Sequence, residues 1–311
     1  MKVSEYQPHS DTEELSKIYA HGNTNKKKLE EDLALVKTWL GYQAHLPTKA
    51  IDDNTIREYL IGSKGNVEKT KQKLDDRSSI RHDIRCFFVD RDISRPEFQN
   101  SLKTSNIVAC PHLTKDATRL TIISFLPDDV SLYSAQVDLK RLYMISDLWI
   151  HKGRLFVGED AILDMSIYTD RYREKLGIQT LVQWVNTLKV LPTRLNKFVI
   201  INSTGFIETM FKLVKPFLAE KLQNRFFIYS RGIEALSEHF APEDLPKDLG
   251  GTCPFTVREL SDYWVEQLKL NSDWVKNEAN FFSDEEKRVK PRYGDEDTFG
   301  LQGTFRKINI D

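Results

Sequence analysis

PTRLNKFVIINSTGFIETMFKLVKPFLAEKLQNRFFIYSRGIEALSEHFAPEDLPKDLGG (192–251) is the stretch that decides the fold. Two wholly apolar runs, 198–201 and 226–229, read as strands. Between them Phe206, Ile207, Met210, Phe211 and Val214 recur at gaps of one, three and four, which is a helical stripe. Pro216 ends that helix because it has no N–H to donate. A second short helix follows, carrying Lys221 and Arg225 one turn apart on one side.

The strand, the Asn202 turn, the apolar helix, KPFLAEK (215–221), RFFI (225–228) and LPKDLGG (245–251) come in one fixed order. Together they resemble the CRAL-TRIO lipid-binding family of tocopherol, retinal and phosphatidylinositol transfer proteins. The resemblance covers roughly 26–270 and is strongest over 158–251. It implies an α/β fold in which a mostly parallel sheet, covered by helices, surrounds an apolar cavity. A small all-helical module precedes it. Helix 206–214 is then the gate over the cavity, and the following basic residues face membrane phosphates.

Composition sets the outer limits. A chain of 311 residues exceeds one typical domain. A net charge of −1 offers no global attraction to nucleic acid or to anionic membranes, so recognition of charge must be local. Three cysteines without a CxxC spacing fit a reducing compartment. The start, MKVSEYQPHSDTEEL, carries no secretory apolar run, and no stretch reaches the ~20 apolar residues of a membrane span. The expectation is a cytoplasmic protein, peripheral on endomembranes, that does not bind nucleic acid.

Working outward, residues 1–25 are polar and read as unstructured. Helices are expected over 26–46, with Leu29, Leu33, Val36 and Leu40 on one stripe, from Asp52/Asp53 onward, and after Gly65. Residues 94–104 form a short helix and 120–126 a strand with almost no polar residue, as when both faces are covered. Ala135–His151 is a helix, Gly158–Asp164 a strand and 177–191 a helix. Strand and helix alternate, which argues for the parallel α/β class. A final amphipathic helix spans 257–270. The polar tail beyond it ends in FGLQGTFRKINID, whose Phe299, Leu301, Phe305, Ile308 and Ile310 are expected to dock onto the body. That ending resembles arthropod members of the family. The expected parts are a helical module (26–92), a lipid-binding domain (93–256) and a C-terminal helix with tail (257–311).

The chain carries no GxGxxG after a strand, no Walker A loop, no HExxH and no GxSxG. Its seven histidines lack metal-ligand spacing. An enzyme, a metal and a cofactor are therefore not expected. Asp164, at a strand end, reads as a turn or cap residue. On pattern alone the stripe at 206–214 is ordinary core; the resemblance turns it into a cavity wall.

The same resemblance nominates Leu142 and Ser146 on the helix before the edge strand, and Ala161, Leu163, Phe198 and Ile200 on strands. It adds Leu181, Trp184, Val185 and Leu188 on the intervening helix, with Phe206, Ile207, Met210, Phe211 and Val214 on the gate. As a set these wall an apolar pocket with few polar groups, suited to a lipophile. The Ser146 hydroxyl either donates to a ligand or bonds its own helix carbonyl. Arg194, Lys221 and Arg225 match positions where tocopherol- and retinal-binding members of the family carry a cation, so the resemblance implies that they, with Lys215 nearby in sequence, bind phosphoinositides; the other reading is a plain solvated face. The family's basic segment ahead of the third helix is replaced by YLIGSKGN (59–66), leaving Lys64 there. The implied function is to bind one small hydrophobic ligand (tocopherol, retinoid, carotenoid or terpenoid class) as a monomer. The protein then exchanges that ligand at membranes bearing anionic lipids. The alternative is a lipid-responsive regulator or adaptor for a protein partner.

Overall fold

Apolar residues three and four apart build the front of the chain into helices. The structure, a computed structural model, describes residues 2–6, 11–127, 129–173, 175–279 and 281–289. Asp11–His21 (α1), Lys26–Leu40 (α2), Asp53–Gly62 (α3) and Val67–Asp83 (α4) come first. Asn25, Asp52 and Asn66 cap α2, α3 and α4, each side-chain oxygen accepting a backbone N–H of the first turn. Leu29, Leu33, Val36 and Leu40 are all buried, as their spacing requires.

Two expectations change here. Residues 11–21 are helical, although only Glu14 and Ile18 of α1 are buried, so its apolar signal is thin. The helix expected to 46 ends at Leu40.

Pro96–Thr104 (α5) leads into a strand that the sequence reading missed, Ser105–Leu113 (β1). All nine of its positions are buried. Then come Arg119–Phe125 (β2), Ala135–His151 (α6), Gly158–Asp164 (β3), Asp170–Arg173 (α7), Ile178–Leu188 (α8), Arg194–Ile201 (β4) and Gly205–Val214 (α9). Glu220–Gln223 (α10), Phe226–Ile228 (β5), Val257–Leu270 (α11) and Ser272–Glu278 (α12) complete the order. The sheet runs β1-β2-β3-β4-β5, with β1 antiparallel to β2 and every other pair parallel. Sequential parallel strands joined by right-handed crossovers place their helices on one face. That face is the one toward α6 and α8. On the opposite face Leu120, Ile122, Ile162, Val199 and Ile201 join the main core, with Leu236, Phe240 and Leu260 of the covering segments. The period of two therefore splits each central strand into a core side and a second side.

The front helices are bound directly to the sheet domain. Tyr59 Oη donates to Val190 O at 2.7 Å, and Lys73 Nζ donates to Leu191 O and Pro192 O at 3.1 and 3.0 Å. A side chain at Gly62 would place Cβ 1.9 Å from Pro192 O, so only glycine permits this approach. At the far end α12, which lies within the stretch expected to be tail, supplies Glu278 to Arg81 of α4 at 2.8 Å. Arg288 reaches back to Asp75 at 2.9 Å. The apolar tail positions from Phe299 to Ile310 lie outside the described residues.

Glu58 of α3 is 1% exposed. Its Oε2 accepts the Phe156 N–H at 3.2 Å, while Oε1 has no partner. Burial raises its carboxyl well above the ordinary glutamate range; Arg119 and the Phe156 hydrogen bond pull the other way without overcoming it, and Glu159 pushes it further up. A raised carboxyl destabilises the fold as pH climbs past the unfolded value of ~4.3, by about 1.4 kcal/mol per pH unit until the buried group ionises. Glu58→Gln keeps an acceptor and removes the proton. Urea denaturation at pH 5 and pH 8 should show the variant gaining on the parent as pH rises. A difference that does not change with pH would mean Glu58 ionises normally.

A candidate lipid cavity and a basic rim

The second side of the sheet does not close. Thr121, Ile123 and Phe125 of β2, Ala161 and Leu163 of β3, and Leu195 and Phe198 of β4 face a cavity of about 190 Å³. The register sets them in rows, Thr121 beside Ala161 beside Phe198, and Ile123 beside Leu163. Leu139, Leu142, Tyr143 and Ser146 of α6 form one wall, and Thr180, Leu181, Trp184 and Leu188 of α8 another. Tyr133, Met165, Tyr168 and Leu176 close the end where the strands finish, next to Ile207 of α9.

At the other end Arg119 Nε donates to Glu159 Oε2 at 3.0 Å, and its fork also donates to Ser146 O and Ser146 Oγ at 3.3 Å each. The guanidinium lies over the Phe156 ring, 4.5 Å from its centroid. Paired in this way, the charge is tolerated in an apolar wall. The Ser146 oxygen thus has a partner that the sequence did not show, Arg119, while its own O–H remains available to donate.

Of the residues nominated from sequence, Leu142, Ser146, Ala161, Leu163, Leu181, Trp184, Leu188, Phe198 and Ile207 line the cavity. Val185, Ile200, Phe206, Met210, Phe211 and Val214 do not. One step along α8 from Trp184 turns Val185 toward α9, where it packs with Val214 and Leu218. Ile200 shares a face with Phe198 but is covered by Ile207. Phe211 packs against Phe226, the rings tilted by 39° with centroids 5.1 Å apart. The cavity therefore lies between the sheet and α6 with α8, not between the sheet and α9. Helix α9 closes one end, and Ile207 is its contribution.

Helix α9 ends at Val214 and passes into a single turn of tighter helix at 215–217, where Pro216 sits. The next helix is shorter than expected: α10 stops at Gln223, so Arg225 lies beyond it, at the entry to β5. Lys215, Lys221 and Arg194 are exposed. Arg225 is half-buried, donating to Leu195 O. Burial first, and the Arg194 charge second, lower its pKa. His21 is held below its usual value by burial first, then by the charges of Arg194 and Lys64. Beside the lysines, Leu213 is 53% and Phe217 37% exposed. Asp164 is a turn residue, its Oδ1 accepting the Ser166 N–H at 2.9 Å and Asn202 Nδ2–H at 2.8 Å.

Known proteins share this plan. The family description "CRAL/TRIO domain" matches residues 129–251, and "Pinta-like, UBA domain" matches 25–98. Clavesin-1 of Pongo abelii is 30% identical over 265 residues, 81% of this chain and 72% of that protein. The chain belongs to the CRAL-TRIO family. Clavesin-2 of Rattus norvegicus is 24% identical over 245 residues, 78% of this chain and 75% of that protein. The solved structure of Sfh5 overlays with a TM-score of 0.43 at 12% identity, over 85% of this chain and 99% of that one. At the level of the CRAL-TRIO family the function is lipid binding and transfer. No helix among the described residues is long and apolar enough to cross a membrane.

Sequence reasoning missed much of the CRAL-TRIO cavity lining. Thr121, Ile123 and Phe125 were visible as alternate residues of an expected strand, and the same alternation that nominated Ala161 and Leu163 applies to them. Tyr133, Met165 and Tyr168 lie in connecting segments, where no periodicity marks them.

Proposed function

We propose that this CRAL-TRIO protein binds one small hydrophobic ligand, of the tocopherol, retinoid, carotenoid or terpenoid class, and exchanges it with membranes that carry phosphoinositides. The observation that carries the reading is the apolar cavity walled by β2–β4, α6 and α8 and closed at one end by α9. Burial of ligand surface supplies most of the affinity, at ~25 cal/mol per Å² removed from water. Mass spectrometry of an organic extract of the purified protein tests it: a stoichiometric lipophile is expected, and an empty extract together with no uptake from lipid vesicles would count against it. We divide the chain as a helical module (26–92), a lipid-binding domain (93–256) and a C-terminal part (257–311).

The membrane side rests on α9 and the turn after it. Leu213 and Phe217 present apolar surface, and Lys215 and Lys221 stand beside them. Each lysine near an anionic surface contributes about 1 kcal/mol, so Lys215→Ala with Lys221→Ala should weaken binding to phosphoinositide vesicles about tenfold to thirtyfold. Cavity affinity in solution should not change. These positions are preferred to Arg225, whose bond to Leu195 O serves the fold. Unchanged vesicle binding would reduce the patch to a solvated face.

A second reading, a lipid-responsive regulator, is favoured by one observation. Glu58 of the front module hydrogen-bonds Phe156, whose ring lies under the Arg119 guanidinium in the cavity wall. A partner protein docked on the UBA-like module would then sense the cavity. Co-purification of a partner that depends on ligand loading separates the two readings.

A further inference from the structure

The connection from α8 to β4, residues 189–193, belongs to the cavity wall. Leu188 before it, Leu191 within it and Leu195 after it all line the space. Its start continues the helix: the Lys189 N–H donates to Asn186 O at 3.3 Å and the Val190 N–H to Thr187 O at 3.2 Å. Pro192 has no N–H to add. The carbonyls of Val190, Leu191 and Pro192 come next, and the front module supplies a donor to each of the three. Tyr59 of α3 donates to Val190 O at 2.7 Å. Lys73 of α4 donates to Leu191 O and Pro192 O at 3.1 and 3.0 Å.

Both donors are built in. Tyr59 is buried in the main core, so its hydroxyl is fixed in place. Lys73 is no solvated surface lysine: burial first, and the charge of Lys69 second, lower its amine to about 8. In the next turn of α3 Gly62 lies against Pro192 O, which brings the module's backbone onto the same connection. Helix α8 itself is anchored elsewhere, since Thr187 in its last turn bonds the Tyr143 hydroxyl of α6. The backbone that the front module holds is therefore the segment carrying Leu191. A wall side chain that drifts by about 0.5–1 Å loses roughly a quarter to a half of each contact it makes.

We propose that Tyr59 and Lys73 are positioning residues for the ligand site: from the front module they clamp the 190–192 backbone and so fix Leu188, Leu191 and Leu195 against the ligand. This rests on the lipid-carrier reading above and gives the front module a part in retaining the ligand.

The test loads the full chain with all-trans-retinol, and separately with α-tocopherol, and follows release to acceptor vesicles well below the melting temperature of every variant. Tyr59→Phe removes one bond; Lys73→Met keeps the apolar stem and removes two. Release should quicken on the order of threefold in the first and tenfold in the second, the scale of one and two hydrogen bonds. Amide exchange over 188–195 should quicken with it. The control is Leu33→Ala, which opens the buried face of α2 and removes no bond to the connection. It should lower the melting temperature at least as much and leave release unchanged. Release that quickens equally in Leu33→Ala overturns the proposal, because the bonds then serve only the stability of the module. So does release at the parent rate in both Tyr59→Phe and Lys73→Met; the carrier reading survives either result. If the parent takes up neither probe, the carrier reading falls and takes the inference with it.

Discussion

Ala161→Trp is expected to give a folded protein that takes up no lipophile. Ala161 sits in the middle of β3 with its methyl group facing the cavity, between Thr121 on β2 and Phe198 on β4. An indole there projects straight into the 190 Å³ space and meets Trp184 and Leu142 from the covering helices. Overpacking a filled core typically costs ~1–3 kcal/mol, and here much of the added volume enters space that is already empty, so the cost should lie at or below that range. Uptake of a lipophile from lipid vesicles should fall by at least about 100-fold, which is about 2.8 kcal/mol. The matched control is Ile162→Val on the next position of the same strand. Its side chain faces the opposite core, so it should lose ~0.5–1.5 kcal/mol of stability and no binding. Full uptake by the tryptophan variant would show that the ligand sits elsewhere.

The contrast between Ala161 and Ile162 also explains what could be read in the sequence. Alternation fixed which residues of β3 and β4 share a face, and the helical stripes of α2, α8 and α9 were visible for the same reason. Strand β1 was missed because it is buried on both sides, so SNIVACPHL shows no alternation. It also contains Pro111, usually a mark against a strand; here it falls where the pairing shifts between Ala109 and Leu113, a bulge position that needs no donor. The stripe of α9 was read correctly as apolar but assigned to the wrong neighbour. Periodicity tells that Phe211 and Val214 are covered; it does not tell that α8 and Phe226 cover them and leave the cavity to Ile207. Buried arginines on α4 were equally hidden, because Arg77 and Arg81 in a polar helix look like solvent-facing charge.

Those arginines support the largest stability effect expected of any single change. Arg77 and Arg81 of α4 and Arg91 converge on Asp147 of α6, with Arg91 Nη1 donating to Asp147 Oδ2 at 2.8 Å; Glu278 of α12 accepts from Arg81 at 2.8 Å. Three guanidiniums face two carboxylates, all buried, and Phe88 takes up part of the excess with its ring 4.7 Å from Arg81 and 5.5 Å from Arg91. Burial alone would raise the Asp147 carboxyl, but Arg81, Arg91 and Arg77 outweigh it and hold it below the ordinary carboxylate range. Its stabilising contribution is therefore present above the unfolded value of ~3.9 and is lost as pH falls below that. Asp147→Ala leaves the three cations with Glu278 alone. Breaking a buried pair from one side costs about 3–5 kcal/mol, which lowers Tm by on the order of 10 °C in a chain of this size. Because the network ties α4, α6 and α12 together, the front helices should also become open to limited proteolysis. The discriminating variant is Asp147→Ala with Arg91→Leu. Arg91 Nε and Nη2 have no partners even in the parent, so removing that cation should return a substantial part of the lost stability. If the double variant is no more stable than Asp147→Ala, the loss comes from the cavity left by the carboxylate and not from stranded charge.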